Sequence, residues 1–463
     1  MNKTFPLSCL SFSILLFFYT FYKSEIYWGG DKQSYYFIYY IISGIFFFLS
    51  VLTFFFDKTI NTYLFIILTS SIFTAYIFET YLTVKYQDEY GNLKISGDIY
   101  ISLDEKKKLY KNQTGKDYDT RSRFEIYNDL IINNKNIKVI VHPSNYIFNR
   151  YNIDLANKIF PLSGISNSKT IFCEEMGYYS IYDSDRFGFN NPDYEWDKQN
   201  IKYLLIGDSF THGACVNRPS DIGSVLRQIS NETVLNLGYS GNGPLIELAT
   251  LKEYIRPNVE NIIWFFYEGN DMEDFDTELR SKFLMKYIDE FNFSQNLKKK
   301  QNDINSLAEL IIENALKEYN SEKDKDKNRN EFNLIKHLKL TNSRSILNKF
   351  LPKNYQPQNP SQPKFKKILR ISKELSINNN SNFYFVYLPS LRRYKTDYDD
   401  STYEQVKKII DELDINFIDV HKEVFELETN PLKLFPFESS KHYNIEGYNK
   451  IANLINKIIS NNQ

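Results

Sequence analysis

Three long apolar stretches open the chain, and they constrain its fold more than any other feature. They cover residues 5–22, 35–56 and 60–84, each about the 20 residues that a helix needs to cross the hydrocarbon core of a bilayer. A cleaved signal peptide would explain only the first stretch. Three stretches in succession, joined by short polar turns and flanked by tyrosines, therefore predict a multi-pass membrane region whose partner is the lipid bilayer.

The loops between these stretches carry little net charge, because Glu25 and Asp31 balance the lysines of the first loop. Lys23 and Lys32 lie in the first loop and Lys58 in the second, so the lysine and arginine bias that sets orientation is weak. An odd number of spans puts the N-terminus and the large C-terminal part on opposite sides. We expect a cytoplasmic N-terminus and an extracytoplasmic, periplasmic C-terminal part. Glu79, near the end of the third stretch, is expected to be an interfacial carboxylate.

The chain has three cysteines, which bear on the compartment. Cys9 lies in the first apolar stretch, and Cys173 and Cys215 lie in the polar remainder without a CxxC pair, so the sequence contains no zinc or redox motif of that kind. Two interpretations of Cys173 and Cys215 stay open. They are either free, partly buried thiols or a disulfide, and a disulfide needs an oxidising compartment.

Overall charge argues against a nucleic-acid partner. The 56 Lys and Arg residues and 57 Asp and Glu residues give a formal net charge of −1, so there is no global basic field to attract a polyanion. The sequence has no P-loop, no HExxH and no dinucleotide fingerprint, so we predict neither a metal nor a nucleotide cofactor.

The rest of the chain divides by pattern. After the membrane region at 1–84, residues 85–198 are predicted as a linker and accessory layer. Residues 199–463 alternate short apolar runs with helical segments, which is typical of an α/β fold with a parallel, doubly wound sheet. A helical insertion at about 272–362 interrupts the alternation, and we expect it to form a cap over the site. The five strands are expected at 203–206, 233–237, 261–267, 382–388 and 416–420.

Polar residues suited to acyl chemistry follow these strands. Ser209 ends a Gly-Asp-Ser triplet after the first strand, a glycine-rich loop at 238–243 follows the second, and Asn270 lies in a Gly-Asn-Asp triplet after the third. His442 precedes the last helix. The carboxyl ends of parallel strands meet at one edge of the sheet. A serine there requires a base and oxyanion donors, and these residues supply both.

These motifs resemble the SGNH, or GDSL-like, serine hydrolase family over residues 202–271 and, more loosely, around His442. The resemblance implies a flavodoxin-like three-layer sandwich with five parallel strands. It also implies that Ser209 is the nucleophile and His442 the general base. The oxyanion hole would then consist of the backbone N–H groups of Ser209 and Gly241 and the side-chain amide of Asn270.

One position departs from the family pattern. The family carries Asp three residues before its histidine, and this chain has Ser439 there. Glu438, one residue earlier, is a candidate for the orienting acid. A Ser-His dyad, with a backbone carbonyl holding the imidazole of His442, is the alternative.

The sequence thus predicts a membrane-anchored ester hydrolase that works through an acyl-enzyme at Ser209. Its substrates would be esters of cell-envelope glycans or lipids, and residues 184–190 resemble a segment of polysaccharide-modifying members of the family. Two alternatives stay open. One is an O-acyltransferase to an envelope polysaccharide, served by a membrane transport or glycan-assembly partner. The other is a catalytically weak glycan-binding or assembly protein on a hydrolase scaffold.

Overall fold

The chain forms two compact units, which consist of Met1–Ile95 with Glu331–Lys353 and of Ser96–Asn330 with Asn354–Gln463. The region predicted as accessory therefore belongs to the same unit as the predicted α/β domain from residue 101 onward among the described residues. The computed structural model describes residues 3–27, 33–86, 101–326, 337–344, 363–396 and 398–461. Parts of the predicted linker and of the predicted insertion lie outside these ranges.

The first unit contains three helices that are long and apolar enough to cross a membrane, as predicted. Helices α1 (Thr4–Phe21), α2 (Gln33–Leu52) and α3 (Lys58–Tyr86) provide candidate spans over Thr4–Ile26, Tyr36–Phe55 and Lys58–Thr83. Large apolar side chains such as Phe12, Phe48 and Phe73 are exposed on their outer faces, which suits a lipid environment. Hydroxyls bond to their own helix, as when Ser13 donates to the Leu10 carbonyl at 2.7 Å.

Glu79 on α3 is held by a segment that is distant in sequence. Its side chain is fully buried within the first unit. The carboxylate accepts the backbone N–H groups of Asn342 and Ser343 at 2.8 and 2.7 Å, and the Ser343 hydroxyl at 2.7 Å. A buried carboxylate is tolerated when donors satisfy it in this way. Part of the predicted insertion therefore belongs to the first unit and is hydrogen-bonded to α3.

A three-stranded sheet forms the accessory region of the second unit. Its strands are β1 (Ile137–Val139), β2 (Lys169–Glu174) and β3 (Tyr179–Asp183). Strand β1 pairs in parallel with β2, and β3 runs antiparallel to β2. Strands β2 and β3 and the turn between them, residues 175–178, therefore form a hairpin, which we call the accessory hairpin.

The second unit also contains a parallel five-stranded sheet, which confirms the predicted fold class. The strands are β4 (Ile201–Ile206), β5 (Val234–Asn236), β6 (Val259–Tyr267), β7 (Asn382–Leu388) and β8 (Asn416–Asp419). Their spatial order is β5-β4-β6-β7-β8, and every neighbouring pair is parallel. Counted along the chain, this is the 2-1-3-4-5 order of flavodoxin-like sheets. The accessory hairpin reaches the carboxyl edge of this sheet.

Helices cover both faces of the five-stranded sheet. The α-helices of the unit are α4 (Leu103–Thr114), α5 (Arg123–Ile131), α6 (Ser144–Ile147), α7 (Ser209–His212), α8 (Ile222–Ser230), α9 (Pro244–Tyr254), α10 (Asp271–Glu278), α11 (Lys282–Asp289), α12 (Gln301–Asp326), α13 (Pro363–Asn378), α14 (Ser401–Glu412) and α15 (Ile445–Asn461). Alternate residues of a strand point to opposite faces. Ile263 of β6 joins the core under α8 and α15, whereas Trp264 joins the core under α9 and α13. This two-sided burial explains why the strands are apolar almost throughout.

The described part of the insertion supports the accessory region. Asn305 on α12 accepts the backbone N–H of Ser166 at 3.0 Å, and Glu309 pairs with Lys138 at 2.7 Å. No described residue of α12 has a hydrogen bond or ion pair with Ser209 or its neighbours at the sheet edge. The longest described helix of the insertion therefore braces the accessory region, and the expected cap over the site stays a prediction.

Candidate active site

Ser209 stands at the carboxyl end of β4, the second strand of the five-stranded sheet. Asp208 caps the short helix α7, because its Oδ1 accepts the backbone N–H of Phe210 at 2.9 Å. The turn before it needs glycine, since a Cβ on Gly207 would lie 2.1 Å from the Thr211 Oγ1. This tight turn lifts the Ser209 hydroxyl out of the sheet and holds it at the edge.

His442 meets Ser209 at that edge from the far end of the chain. The distance between Ser209 Oγ and His442 Nε2 is 2.9 Å, which is hydrogen-bonding distance for a nucleophile and its base. The Phe210 ring packs on the imidazole with centroids 4.8 Å apart. Two residues that are 233 positions apart are thus brought together by β4 and by the loop before α15.

The acid that holds the imidazole is Glu175, which the prediction from sequence did not include. One carboxylate oxygen of Glu175 lies 3.1 Å from His442 Nδ1, and the other accepts the His442 backbone N–H at 2.9 Å. These two contacts hold both the imidazole ring and the backbone of His442 in place. The structure therefore completes a serine–histidine–glutamate chain with a carboxylate from the accessory hairpin.

Glu438 does not occupy that position, and its prediction as the orienting acid is corrected. Its carboxylate is exposed and accepts the side-chain N–H of Asn430 at 3.1 Å. Ser439 is fully buried, and its hydroxyl accepts the backbone N–H of Ile101 at 2.6 Å. The alternative dyad is corrected too, because the partner of the imidazole Nδ1 is a carboxylate and not a backbone carbonyl.

A disulfide joins Cys173 to Cys215, with Cα atoms 4.9 Å apart. The sequence left open whether these cysteines are free thiols or a disulfide, and the structure contains the disulfide. Cys173 lies two residues before Glu175, and Cys215 six residues after Ser209, so the bond ties the acid-bearing hairpin to the nucleophile loop. This pairing was the one sequence signal that pointed to Glu175. The Cys215 Sγ lies 3.7 Å from His442 Nδ1.

Charge and burial set the protonation of these groups. Burial by itself lowers the pKa of His442, but the charge and hydrogen bond of Glu175, and then the charge of Asp208, raise it above its ordinary value. Burial by itself raises the pKa of Glu175, and the imidazole lowers it to a net value below the ordinary one. Burial raises the pKa of Asp208 to about 6. Glu175 is therefore a stable anion that favours a protonated imidazole beside it.

The glycine-rich loop after β5 offers one free backbone donor. Gly238 donates its N–H to the Asn236 side chain at 2.9 Å, whereas no hydrogen bond to another described residue occupies the N–H of Gly241. Gly241 has a φ of +83°, a conformation that glycine adopts without strain. These contacts favour Gly241 over Gly238 as an oxyanion donor.

Asn270 is held in place by a half-buried acid, Asp274. It occupies the N-cap position of α10, and its side-chain amide donates to Asp274, one turn along that helix. Burial is the main cause that raises the pKa of Asp274 to about 7. Asp271 accepts the backbone N–H of Tyr267 at 2.7 Å and so braces the same turn. A primary amide has two N–H donors, so Asn270 keeps one for a ligand.

Two further histidines support the Gly241 loop. His212 is fully buried, stacks on Phe172 with centroids 4.4 Å apart, and accepts the Ser240 backbone N–H at 3.2 Å. The His142 Nδ1 lies 3.4 Å from the Ser240 carbonyl, and it would lie 3.6 Å from a Cβ on Gly241. Nothing in the sequence marks His142, because only tertiary packing brings it to this loop.

Asp185 organises the turn that follows β3. Its carboxylate accepts the backbone N–H of Phe189 at 3.0 Å, the Asn191 amide at 2.9 Å and the Trp196 indole at 2.7 Å. Asn191 in turn donates to the Asn236 carbonyl at 2.8 Å. The turn-rich segment singled out in the sequence therefore braces the loop after β5.

Among the described residues, potential metal ligands come together in one group, which consists of Cys173, Cys215 and His442. The two sulfurs are bonded to each other, so the thiolates that would bind a metal are not present in this oxidised form. The arrangement is instead suited to moving one proton between a hydroxyl and an imidazole.

Removing the disulfide should reduce both activity and stability. A Cys173→Ser, Cys215→Ser double variant is expected to lose at least about tenfold in ester hydrolysis, because Glu175 loses its link to the Ser209 loop. Since the cysteines are 42 positions apart, the loss of stability should be about 4 kcal/mol. Hydrolysis rates and the melting temperature test this, with Cys9→Ser as the control. Wild-type rates in the double variant would contradict the role given to the bond.

Known proteins show only a distant likeness to this chain. No protein-family model matches the chain, and no curated protein matches it. Among solved structures, a protein from Desulfitobacterium hafniense DCB-2, described as lipolytic and of the G-D-S-L family, is 14% identical with a TM-score of 0.31, over 56% of this chain and 99% of that one. YxiM from Bacillus subtilis is 12% identical with a TM-score of 0.30, over 55% of each chain. Similarity at this level identifies neither an activity nor a substrate, so the function has to be inferred from the geometry of this chain's own site.

Proposed function

We propose that the chain is a membrane-anchored ester hydrolase of the SGNH type that works through an acyl-enzyme at Ser209. The single observation that carries this proposal is the continuous chain from the Ser209 hydroxyl through His442 to Glu175, with separations of 2.9 and 3.1 Å. A hydroxyl, an imidazole and a carboxylate in this order are the parts that nucleophilic acyl chemistry needs.

In the first half of the reaction, Ser209 Oγ attacks the ester carbonyl carbon and its proton passes to His442 Nε2. The carbonyl oxygen becomes an oxyanion, which accepts hydrogen bonds from Gly241 N–H and the Asn270 amide. Glu175 stabilises the imidazolium that forms. When the tetrahedral intermediate collapses, the C–O bond to the alcohol breaks, and the alcohol leaves with the proton from His442.

In the second half, water attacks the acyl-enzyme and gives a proton to His442. Collapse of the second intermediate breaks the bond to Ser209, which takes that proton back, and a carboxylic acid leaves. A sugar hydroxyl in place of water would give acyl transfer with the same residues. The acyl-enzyme is common to both outcomes, so the acceptor alone distinguishes a hydrolase from an O-acyltransferase.

We infer that the site faces the extracytoplasmic side and acts on esters of envelope glycans or lipids. The Cys173–Cys215 disulfide supports this location, because such bonds persist in oxidising compartments. Three spans with a cytoplasmic N-terminus lead to the same side. The membrane region then keeps the enzyme near substrates of the cell envelope.

A serine-directed fluorophosphonate tests the nucleophile and the sidedness together. A membrane-impermeant form of the probe should label the protein equally in intact spheroplasts and in lysed cells, and mass spectrometry should find the adduct on Ser209. Purified protein should release acetate from an aryl acetate, and a glycan acceptor that becomes acylated would identify the transferase. Absence of labelling in lysed cells would refute the enzyme, and labelling only after lysis would refute the orientation.

A further inference from the structure

A cavity of about 510 Å³ lies beside the acid–base pair. Met176, which follows Glu175, and Asn444, two residues after His442, both line it. Its walls are α4, the turn between β2 and β3, and the chain that leads into α15. Its volume falls in the range of small-ligand sites, and the proposed acyl chemistry does not use it.

The aromatic wall of this cavity is fixed by tight packing. Tyr110 lies on the backbone of Gly177, where φ is +88° and a Cβ would come within 2.5 Å of the ring. Phe437 has a φ of 54° although it is not glycine. Its ring centroid lies 6.4 Å from that of Tyr110 and 6.0 Å from that of Tyr118. Strained backbone of this kind concentrates at ligand sites, where surrounding contacts maintain it.

Polar groups around the wall are free to bind a ligand. The Gln113 amide, the Lys116 ammonium group and the Tyr178 hydroxyl line the cavity, and none has a hydrogen bond or ion pair with another described residue. Asn444 differs, because its amide donates to the Lys433 carbonyl and accepts the Gly447 N–H. Donors and acceptors from two separate segments thus surround the aromatic rings.

This combination fits a sugar better than an acyl chain. The C–H face of a sugar ring can pack on an aromatic ring while its hydroxyls bond to amides and hydroxyls. An acyl chain would cover the half-buried Tyr178 hydroxyl without giving it a hydrogen-bond partner, which is unfavourable. Lys116 offers a cation to the carboxylate of an acidic sugar, and Glu438, which lines the same cavity, offers a carboxylate that can accept hydrogen bonds from sugar hydroxyls.

We propose that this cavity is a saccharide subsite, which binds a sugar unit of the glycan whose ester reaches Ser209. This proposal rests on the proposed function for its choice of substrate. It adds that the accessory region, through α4 and the hairpin, provides both the catalytic carboxylate and the recognition of the sugar.

Saccharide binding to the full chain in lipid nanodiscs tests the proposal without catalysis. Saturation-transfer difference NMR would titrate N-acetylchitotetraose, maltotetraose and tetragalacturonate, with decanoate as the acyl-chain probe and empty nanodiscs as the blank. We expect saturable binding of at least one tetrasaccharide. Gln113→Ala and Tyr178→Ala should each weaken it at least about tenfold, and Tyr178→Phe should weaken it less because the ring remains.

Matched variants locate the binding. Asn112→Ala changes the neighbouring exposed residue on α4, and Tyr194→Ala removes an exposed tyrosine elsewhere in the unit; both should bind as wild type does. No tetrasaccharide binding, equal binding by all variants, or binding of decanoate at this cavity instead would each overturn the proposal. Aryl acetate hydrolysis by the wild type, measured in parallel, shows separately whether the proposed esterase activity fails.

Discussion

Ser209→Ala is expected to lower the hydrolysis of an aryl acetate by about 10⁶-fold, the scale of loss seen when a catalytic serine is removed. The Ser209 hydroxyl is the atom that would form the acyl-enzyme, and it lies 2.9 Å from the nitrogen of His442 that would take its proton. Alanine leaves that nitrogen without a nucleophile to activate. Initial rates at saturating ester, corrected for the uncatalysed reaction, provide the measurement.

A second variant, His442→Ala, tests whether Ser209 and His442 act in one catalytic step or contribute to the rate independently. His442→Ala should lose about as much as Ser209→Ala, and the double variant should lose no more than either, because residues that act in one proton transfer are not additive. Ser220→Ala, a serine in the loop before α8, is the control and should keep the wild-type rate. If Ser209→Ala retained about a tenth of the activity, the acyl-enzyme mechanism would be wrong.

Glu175→Gln is expected to lower the rate by about 10⁴-fold at neutral pH, as loss of an orienting carboxylate does in comparable triads. The glutamine keeps the size of the side chain but removes the charge that stabilises the imidazolium, and its amide can present the wrong partner to His442 Nδ1. The measurement is kcat/KM on the same ester across pH, which reports the pKa of the free enzyme's base.

The pH profile should move in a defined direction. His442 must be neutral to accept the proton from Ser209, so activity rises as pH passes upward through its pKa. Because the charge of Glu175 raises that pKa above its ordinary value, Glu175→Gln should shift the midpoint to lower pH while lowering the plateau. Glu438→Gln should keep the wild-type midpoint. If Glu438→Gln shifted the midpoint to lower pH and Glu175→Gln left it unchanged, Glu438 would be the orienting acid instead.

Local sequence determined the architecture of this chain and most of the residue types at the site. The period of apolar residues sets five buried strands and three helices that are long and apolar enough to span a membrane, because burial on one or two faces must be encoded in neighbouring residues. The Gly-Asp-Ser and Gly-Asn-Asp triplets mark Ser209 and Asn270 because strand ends need turn residues. His442 is marked by its place before the closing helix.

Tertiary structure alone decided which partners these residues have. Glu175 comes to His442 because a disulfide and a hairpin from the accessory region bring it there, and apart from the nearby Cys173 nothing in its own neighbourhood distinguishes it from Glu438. His142 reaches the loop that carries Gly241 in the same way, and Glu79 finds a backbone donor 263 residues away. A contact between distant segments depends on the packing of the whole unit, so no local period encodes it.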